Sequence, residues 1–443
     1  MKQRYNELTE NLCWQAVDAC FDRKWTRADI LAYVEEYAGI SRREIYAGEL
    51  NFDKNAKNEV TDCIAFRLMD MVEDIAVGKK PESVEPPTVK PRPDGMTGKI
   101  RNIACLCIDH QLLGHVAVLG LKPLFKAIIL PQQHASIPKR GQTKLAKQTA
   151  RYLRKDSLGI RFAQKTDAVN AYGSLMYAKV IKLIERRIPS AHWILAVLRY
   201  LEKLAPGGHL IIGGYIDAWL FNYAMAEALR FVLTTGHERR GKFIPYVVRV
   251  EDYMDDVCLM ARTRSGLEKA VKKLSAWMQL NLGMIIKTTT GVIRILSTAE
   301  EKRRKKLPKP SQRGCPCIDM GGFRICRTHM TMRARIVKRV IRTFTRAWRE
   351  IQATGTMRRA RAQAIIARNG FIKQTCSDEF KTKYNVEQIV AMAKKITGYW
   401  SRVQSRKRKE WLEYVVSQDP IEQYAKLRSD RKPSGWPALS AAC

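Results

Sequence analysis

The spacing of apolar residues changes along the chain, and it predicts helices near the start. Between Leu12 and Trp25 the apolar residues recur near the period of a helix. Ser41-Arg-Arg-Glu44 has the spacing of a capping box and predicts the start of another helix. Five prolines between Lys79 and Thr97 then indicate a linker. We therefore predict that residues 1–95 form a helical accessory region that ends in a Pro-rich linker.

The middle of the chain alternates between short β-forming runs and longer helical runs. In order, the pattern predicts a strand ending at Asp167, a helix over 193–204, a helix over 216–234, a hairpin over 246–260, a helix over 265–280 and a strand over 283–288. This succession is that of a split β-α-β-β-α-β unit, in which a hairpin lies between two helical connections.

Two adjacent carboxylates, Asp255 and Asp256, interrupt the predicted hairpin between its two apolar halves. We expect them at the exposed tip of the hairpin, where a bare pair of acids is also compatible with a solvated turn. Because like charges repel, a pair held at a turn favours a cation, and oxygen ligands suit Mg²⁺. Asp167 adds a third carboxylate at the end of a strand, where α/β sheets place reactive groups.

The last third of the chain combines a short hairpin with basic helices. Ile318–Ile325 predicts a two-stranded hairpin with Gly321 and Gly322 at its turn. From Met332 to Trp348 an apolar residue recurs every four positions, and arginines and lysines occupy much of the remaining surface. We expect this helix to pack by its apolar stripe and to direct its cations outward.

Charge and composition restrict the class of partner. The chain carries 79 basic and 43 acidic residues, a net charge of +36. Residues 301–443 hold 34 of the basic and 11 of the acidic residues, which is typical of a polyanion-binding surface. No run of about 18 uncharged apolar residues is present, so no membrane span is predicted.

Eleven cysteines are scattered without the spacing of a disulfide framework. Together with an N-terminus that lacks a signal-peptide core, they predict reduced thiols and a cytoplasmic protein. Cys315, Cys317, Cys326 and His329 would form an accepted zinc ligand set if the hairpin brought them together. The C-x-C spacing is unusual for such a site, so zinc binding stays an open alternative.

The ordered motifs resemble bacterial reverse transcriptases over roughly residues 96–400. Tyr253-Met-Asp-Asp256 matches the signature of their palm, and Asp167 with Tyr172 matches the preceding catalytic block. The family resemblance implies that Asp167, Asp255 and Asp256 are catalytic and hold two Mg²⁺ ions, with Mn²⁺ as an alternative. Asp167 and Asp255 would bridge the ions, and Asp256 would support them.

The same resemblance implies roles for residues outside the acidic motif. It predicts that Arg140, Tyr172, Gly213 and Lys287 bind the incoming nucleotide, with Arg140 on its phosphates and Tyr172 screening its sugar. Gly321, Gly322 and Phe323 are similar to the primer grip, and Asn222 accompanies Gly213 beside the templating base. On the basic thumb helix, we expect Arg335, Arg339 and Arg342 to bind RNA.

The resemblance implies an α+β, right-hand polymerase fold with fingers, a ferredoxin-like palm and a helical thumb. We assign residues 1–95 to the accessory region and linker, and 96–300 to fingers and palm. Residues 301–325 form the basic loop and primer-grip hairpin, and 326–443 form the basic thumb and C-terminal tail. One departure is Asp217, which stands where the family usually has Ser or Thr.

The expected activity is RNA-directed DNA synthesis from deoxynucleoside triphosphates on a primer, copying a structured non-coding RNA. The sequence shows no obvious protease, integrase, endonuclease or ribonuclease H region, which favours a stand-alone enzyme, with anti-phage defence as its context. An RNA-binding, maturase-like splicing or retroelement protein of the same fold is the alternative. A polymerase that makes RNA is a further alternative, but Tyr172, as a bulky sugar screen, favours deoxynucleotides. Assembly with itself or with a partner protein stays open.

Overall fold

The computed structural model describes residues 4–50, 55–93, 100–288, 290–306, 314–375 and 378–417. Its strands are β1 (Thr88–Pro93), β2 (Ile100–Cys105), β3 (Phe162–Ala168), β4 (Gly236–Arg239), β5 (Lys242–Pro245), β6 (Arg249–Tyr253), β7 (Asp256–Ala261), β8 (Ile286–Thr288), β9 (Ile293–Arg294), β10 (Ile318–Met320), β11 (Phe323–Ile325) and β12 (Met330–Met332). Its α-helices are α1 (Glu10–Phe21), α2 (Ala28–Ala38), α3 (Arg42–Leu50), α4 (Asn55–Ala76), α5 (Ile108–Ile128), α6 (Gln142–Arg154), α7 (Ala171–Ser174), α8 (Tyr177–Glu185), α9 (His192–Leu204), α10 (Tyr215–Leu233), α11 (Arg264–Leu282), α12 (Thr298–Lys305), α13 (Ala334–Thr354), α14 (Arg359–Ile372), α15 (Asp378–Lys383) and α16 (Val386–Ser417).

The chain divides into two compact units, and each is assembled from stretches that are separated in sequence. The first unit comprises residues 1–129, 172–224 and 406–443. The second comprises residues 130–171 and 225–405. Each of the four segments expected from the sequence is continuous in the chain. In the structure, by contrast, the N-terminal helices belong to the same compact unit as α5, α8 and α9.

Polar contacts hold the N-terminal helices of the first unit on α5. Asp109, at the start of α5, is buried. It accepts a hydrogen bond from the Tyr33 hydroxyl. Its Oδ2 also forms an ion pair with Arg67 Nη2 at 2.7 Å. The capping box that begins α3 is present, since Ser41 N donates to Glu44 Oε2 at 2.7 Å and Glu44 N donates to Ser41 Oγ at 3.3 Å. The N-terminal helices are therefore stabilised both by local capping and by side-chain contacts between residues that are distant in sequence.

Part of the Pro-rich stretch forms a strand instead of the expected linker. β1 pairs antiparallel with β2, from Thr88 opposite Cys105 to Pro93 opposite Ile100. The two strands form a separate two-stranded sheet, so each of them is an edge strand. Proline is tolerated at a sheet edge because its missing N–H need not pair there. The linker prediction is thus wrong for residues 88–93, and residues 94–97 lie outside the described ranges.

The central sheet of the second unit has the strand order β6-β7-β3-β8, with β9 also paired to β3. Every pair in it is antiparallel. β3, the first of these strands in sequence, lies between β7, which follows the hairpin turn, and β8, which follows α11. This is the strand order of a split β-α-β-β-α-β unit. One face of the sheet packs on α6 through a shared core that includes Ala163, Met260 and Leu145.

The end of the second unit is a small sheet followed by helices. β10, β11 and β12 form a three-stranded antiparallel sheet, so the hairpin predicted over 318–325 gains a third strand. The apolar stripe of α13 is buried as predicted, and Ile336, Val340 and Phe344 contact α14 and α16 in one core. None of the helices in the described ranges combines the length and apolar character needed to cross a bilayer.

Candidate active site

Three carboxylates meet at one end of the central sheet of the second unit. Asp167 is the next-to-last residue of β3, Asp255 lies in the β6–β7 turn, and Asp256 begins β7. β3 and β7 are paired up to Thr166 opposite Val257, and one further step of this register sets Asp167 opposite Asp256. Asp167 and Asp255 are close enough to share a hydrogen bond. The sequence-predicted acids are therefore brought together by strand pairing.

The mutual proximity of these acids disfavours their charged forms. Burial, the hydrogen bond with Asp167 and repulsion from Asp167 and Asp256 together raise the pKa of Asp255 to about 6. Burial also raises the pKa of Asp256, although Lys165 opposes that shift. A nearby positive charge lowers the pKa of a carboxyl group and so opposes both shifts. The electrostatics of the site therefore favour cation binding.

Two lysines supply part of that positive charge. Lys165 Nζ lies 2.9 Å from Asp256 Oδ1, and its side chain is almost fully buried. Lys287, on β8 directly opposite Asp167, reaches to 3.9 Å between its Nζ and Asp167 Oδ2, and its side chain is 59% exposed. Lys165 is thus a fixed counter-charge, whereas Lys287 is a solvent-facing cation at the edge of the acids. The sequence analysis identified Lys287 but missed Lys165.

The donor set fits a hard divalent cation. Within the described ranges, no three His, Cys, Asp or Glu side chains are already arranged as a ligand cluster. The three acids nevertheless offer oxygen ligands only, which Mg²⁺ prefers, and burial with mutual repulsion raises the pKa of two of them. Asp167 and Asp255 would hold the ion, while Asp256 is engaged by Lys165.

The hairpin tip is half-buried, which corrects the expectation of an exposed turn. The side chains of Asp167 and Asp256 are only 32% and 30% exposed. Met254, in the turn, adopts a left-handed conformation with φ of +61°. Such a conformation is costly for a residue with a side chain and persists only where the surroundings fix it.

A layer of buried polar residues lies behind the acidic tip on β6, and sequence reasoning did not identify it. Glu251 and Asp252 are fully buried. Glu251 Oε2 lies 2.8 Å from His134 Nε2, and Gln148 Nε2 donates to Glu251 Oε1 at 3.3 Å. Burial raises the pKa of Glu251 to about 9 and lowers the pKa of His134 to about 4. Burial thus disfavours the charged forms of both groups.

Backbone hydrogen bonds join the same strand to the loop before α6. Asp252 N donates to Gln132 O at 3.0 Å, and His134 N donates to Asp252 O at 3.0 Å. The loop that carries Arg140 is consequently attached to the strand that carries the acidic turn. The interruption of an apolar β-run by Glu251-Asp252 was the sequence signal that could have revealed this layer.

Arg140 is held by its own loop, and it lines an open basic cleft. Arg140 Nη1 donates to Leu130 O at 2.6 Å and to Gln133 O at 2.7 Å, so part of its donor capacity is structural. The cleft has a volume of about 920 Å³ and is bordered by Tyr253. The other cations that line it are Lys139, Lys144, Lys147 and Arg151. The predicted phosphate site thus contains more lysines than the sequence analysis assigned to it.

The remaining predicted nucleotide residues lie in the first unit. The Tyr172 ring stacks on Phe221 with centroids 4.9 Å apart. Gly213 has φ of +119°, and a Cβ there would approach Ala104 O to 2.7 Å, so the close approach of β2 requires glycine. Asn222 is buried and its Nδ2 donates to Ala218 O at 2.8 Å. Each residue has a packing role in its unit, and the nucleotide-binding roles stay predictions.

Asp217, the departure from the family pattern, is a buried anchor of the first unit. Its Oδ1 accepts hydrogen bonds from the Tyr177 hydroxyl at 2.8 Å and from Ile211 N at 2.9 Å. Burial raises the pKa of Asp217 to about 6 despite these donors. The carboxylate therefore fixes the loop before α10, which includes Gly213.

The predicted primer-grip hairpin is tightly packed. Gly321 and Gly322 form the β10–β11 turn with φ of +58° and +87°. A Cβ on Gly322 would lie 2.6 Å from Ile336 Cδ1, on α13. Phe323 is buried, and its ring lies 5.2 Å from that of Phe371. The two glycines are half-buried and the phenylalanine belongs to the core, so only the turn backbone is placed to contact a ligand.

The arginines predicted to bind RNA lie on the polar side of α13. Arg335 and Arg342 are exposed, and Arg339 is half-buried. Arg346 and Arg349 continue the exposed series. The stripe of cations is therefore available on this helix, while its role in RNA binding stays a prediction.

The cysteines considered as zinc ligands do not form a four-residue cluster. Arg324 Nε donates to Cys317 Sγ at 3.0 Å, and Cys326 Sγ lies 3.8 Å from Pro316 O. His329 Nδ1 lies 3.1 Å from Thr328 Oγ1 and 3.7 Å from Glu301 Oε2. These contacts leave His329 engaged by a threonine and a carboxylate, and the three cysteines are in the reduced form.

No protein-family profile matches the sequence, and no curated protein sequence matches it. Among solved structures, the chain is similar to a telomerase from Candida albicans in complex with the TWJ fragment of telomeric RNA, at 11% identity and a TM-score of 0.39. It is also similar to the 3Dpol RNA-dependent RNA polymerase of a Sicinivirus, at 15% identity and a TM-score of 0.26.

Both alignments are partial. The first covers 79% of this chain and 66% of the telomerase chain, and the second covers 43% of this chain and 41% of the viral polymerase chain. The chain thus spans about two thirds of the length of the telomerase chain.

Proposed function

We propose that the chain is an RNA-directed DNA polymerase that extends a primer by phosphoryl transfer. One observation carries the proposal: strand pairing brings Asp167 of β3 beside the Asp255-Asp256 turn of β6–β7. Burial and repulsion from neighbouring carboxylates raise the pKa of Asp255 and Asp256, and such an arrangement is unfavourable for stability alone. Such strained acid clusters are typical of sites that bind cations for chemistry. The split β-α-β-β-α-β sheet would be the palm, with α13, α14 and α16 as the thumb.

Asp167 and Asp255 would bind Mg²⁺, or Mn²⁺ as an alternative, and Asp256 would support them. When bound, two such ions activate the primer 3′ oxygen and stabilise the leaving oxygen of pyrophosphate. Lys165 orients Asp256 through its 2.9 Å ion pair. The exposed Lys287 ammonium is suited to giving a proton to pyrophosphate, since it lies at the edge of the acids.

The basic cleft along α6 would bind phosphates of the nucleotide or of the nucleic acid. It concentrates Lys139, Lys144, Lys147 and Arg151 beside Tyr253. Arg140 holds its loop by two carbonyl contacts and would offer its remaining donors to the ligand. Positive charge in a cleft raises the local concentration of polyanions. The template would be a structured RNA that is held in part by Arg335, Arg339 and Arg342.

The preference for deoxynucleotides would depend on Tyr172 as a sugar screen. Its ring is supported by stacking on Phe221. A ring held in this way is rigid and can exclude a 2′ hydroxyl by size. Replacing Tyr172 by valine is expected to raise the incorporation of ribonucleotides relative to deoxynucleotides.

An RNA-binding, maturase-like function is the second candidate, and the exposed arginines of α13 favour it. Both functions need the basic helices, whereas only the polymerase needs all three acids. Protection against phage, the context expected from the sequence for a stand-alone enzyme, would be the biological setting of the polymerase. The two candidates can therefore be separated by variants that remove the acids and leave the arginines.

The decisive experiment measures incorporation of labelled dNTPs on a primed RNA template in Mg²⁺, with RNA binding measured in parallel. Replacing Asp255 and Asp256 by alanine should abolish incorporation and leave RNA binding within about twofold. The matched control is Asp378→Ala, which removes an acid with a 90% exposed side chain from the same unit. A folded double variant that still incorporates dNTPs would refute the polymerase proposal.

A further inference from the structure

Cys317 and Cys326 flank the β10–β11 hairpin at its open end. The strands are paired out to Ile318 opposite Ile325, so one further step sets the two cysteines opposite each other. Cys326 N donates to His329 O at 2.9 Å, on the side of β12. The cysteines therefore occupy a pair without mutual backbone hydrogen bonds. Such pairs have Cα atoms about 4.5 Å apart, within the range of disulfides, about 4.4–6.8 Å.

The two thiols have different environments. Cys317 is half-buried and its Sγ accepts a hydrogen bond from Arg324 Nε at 3.0 Å. A hydrogen bond from the Cys326 thiol and the positive charge of Arg324 lower the pKa of Cys317 to about 6. Cys326 is buried, with 5% exposure. The pair thus combines a half-buried thiol of lowered pKa with a buried thiol as its neighbour.

We propose that Cys317 and Cys326 are a redox-active pair that forms an intramolecular disulfide on oxidation by a hydroperoxide. The Cys317 thiolate attacks the peroxide oxygen, forming a sulfenic acid and releasing an alcohol, or water when the oxidant is hydrogen peroxide. The Cys326 sulfur then loses its proton and attacks the Cys317 sulfur, which releases water as the S–S bond forms. Two thiols and one peroxide therefore yield one disulfide, one alcohol or water, and one further water.

Arg324 is the residue that would make Cys317 the attacking group. It is exposed on β11, so its replacement leaves the core unchanged. A guanidinium beside a thiol stabilises the thiolate, which is the nucleophile in this reaction. Oxidation consumes that thiolate, so Arg324 loses its anionic partner as the hairpin is cross-linked. The pair lies at the end of the hairpin opposite the predicted primer-grip turn, and this inference does not depend on polymerase activity.

Cys315 is the alternative partner, since it lies two residues before Cys317. Burial raises the pKa of the Cys315 thiol, in contrast to Cys317. A disulfide between Cys315 and Cys317 would have to close over a single intervening proline. The cross-strand pair is favoured because strand register, and not chain proximity, sets its geometry.

The test treats the purified full chain with hydrogen peroxide, blocks the remaining thiols and identifies cross-linked peptides by mass spectrometry. The expected product links Cys317 to Cys326 and reverts with dithiothreitol. Cys315→Ser should form the same product. Cys326→Ser should stop at the Cys317 sulfenic acid, which a dimedone probe traps. A product that links Cys315 to either cysteine, or the absence of any link at Cys317, would overturn the proposal.

The role of Arg324 is tested by the rate of the first step. Iodoacetamide labelling of Cys317 at pH 7 should slow by roughly tenfold in Arg324→Gln and much less in Arg324→Lys, because the thiolate fraction falls when the cation is lost. Labelling of Cys63, an exposed cysteine remote in sequence, gives the internal reference and should not change. Equal Cys317 rates in the wild type and Arg324→Gln would exclude Arg324 as the activating residue.

Discussion

Two hairpins of the second unit have turns of the same length and opposite design. The β6–β7 turn consists of Met254 and Asp255, and Met254 adopts φ of +61° although it has a side chain. The β10–β11 turn consists of Gly321 and Gly322, for which left-handed conformations carry no steric cost. Two-residue hairpin turns need such conformations because of strand twist. The first turn thus retains strain beside the acids that we propose to be catalytic, and the second avoids it.

The surroundings of the two hairpins differ in the same sense. Behind the acidic turn lie Glu251 and Asp252, both buried, with His134 as a polar partner. Beside the glycine turn lie Phe323, Ile336 and Phe371, which are apolar. A polar support can fix the position of charged groups, whereas an apolar support contributes stability. We expect substitutions in the first hairpin to change activity and those in the second to change folding.

The largest expected effect is the loss of activity in Asp255→Asn. Outer partners of metal ligands typically contribute 10–100-fold, so loss of a proposed ligand should reduce dNTP incorporation by more than about 100-fold. The fold should persist because the change removes repulsion among half-buried acids. Primer extension together with thermal unfolding would check it. A destabilised variant with normal activity per folded molecule would reverse the contrast between the hairpins.

The opposite outcome is expected for Phe323→Ala. Phe323 is 1% exposed, and truncation of a buried phenylalanine costs about 3–5 kcal/mol in unfolding free energy. Urea unfolding of the full chain would measure this loss. Phe323→Leu serves as the milder control, because it keeps most of the apolar volume. A loss below about 1 kcal/mol in the alanine variant would show that the hairpin is not part of the core.

A smaller effect separates the two turns themselves. Gly322→Ala should destabilise the protein by about 1–3 kcal/mol, since it places a side chain at φ of +87° and within 2.6 Å of Ile336 Cδ1. Met254→Gly should change stability by less than about 1 kcal/mol, because relief of the left-handed strain is offset by backbone entropy. Matched urea unfolding curves decide between them, and equal losses would remove the contrast in strain.

The last expected effect, that of Glu251→Gln, depends on pH and grows as pH rises. The folded-state pKa of Glu251 is raised from 4.5 to about 9. The stability contributed by this group is therefore fully present below pH 4.5 and is lost as pH rises towards about 9. The glutamine variant lacks this loss, so its unfolding free energy should exceed that of the wild type increasingly between those limits. Unfolding curves that show no change in the difference would contradict a buried, protonated Glu251.

Local patterns in the sequence determined much of the secondary structure. The four-residue repeat from Met332 to Trp348 predicted α13 and its buried face, and the apolar runs around Asp255 predicted β6 and β7. These features could be predicted from the sequence because side-chain direction repeats with a fixed period in helices and strands. The order of strands and helices also restricted the sheet to few topologies.

Only the tertiary structure decided which polar groups are buried and with what they pair. His134 and Glu251 are 117 residues apart, and no local period indicates that they meet. The strand character of residues 88–93 depended on pairing with β2, and the carbonyl contacts of Arg140 depended on the path of its loop. Periodicity reports which face of an element is apolar, whereas burial, pKa and partner are set by contacts that are distant in sequence. The acids could therefore be named from the sequence, but their shifted pKa values and supporting residues required the fold.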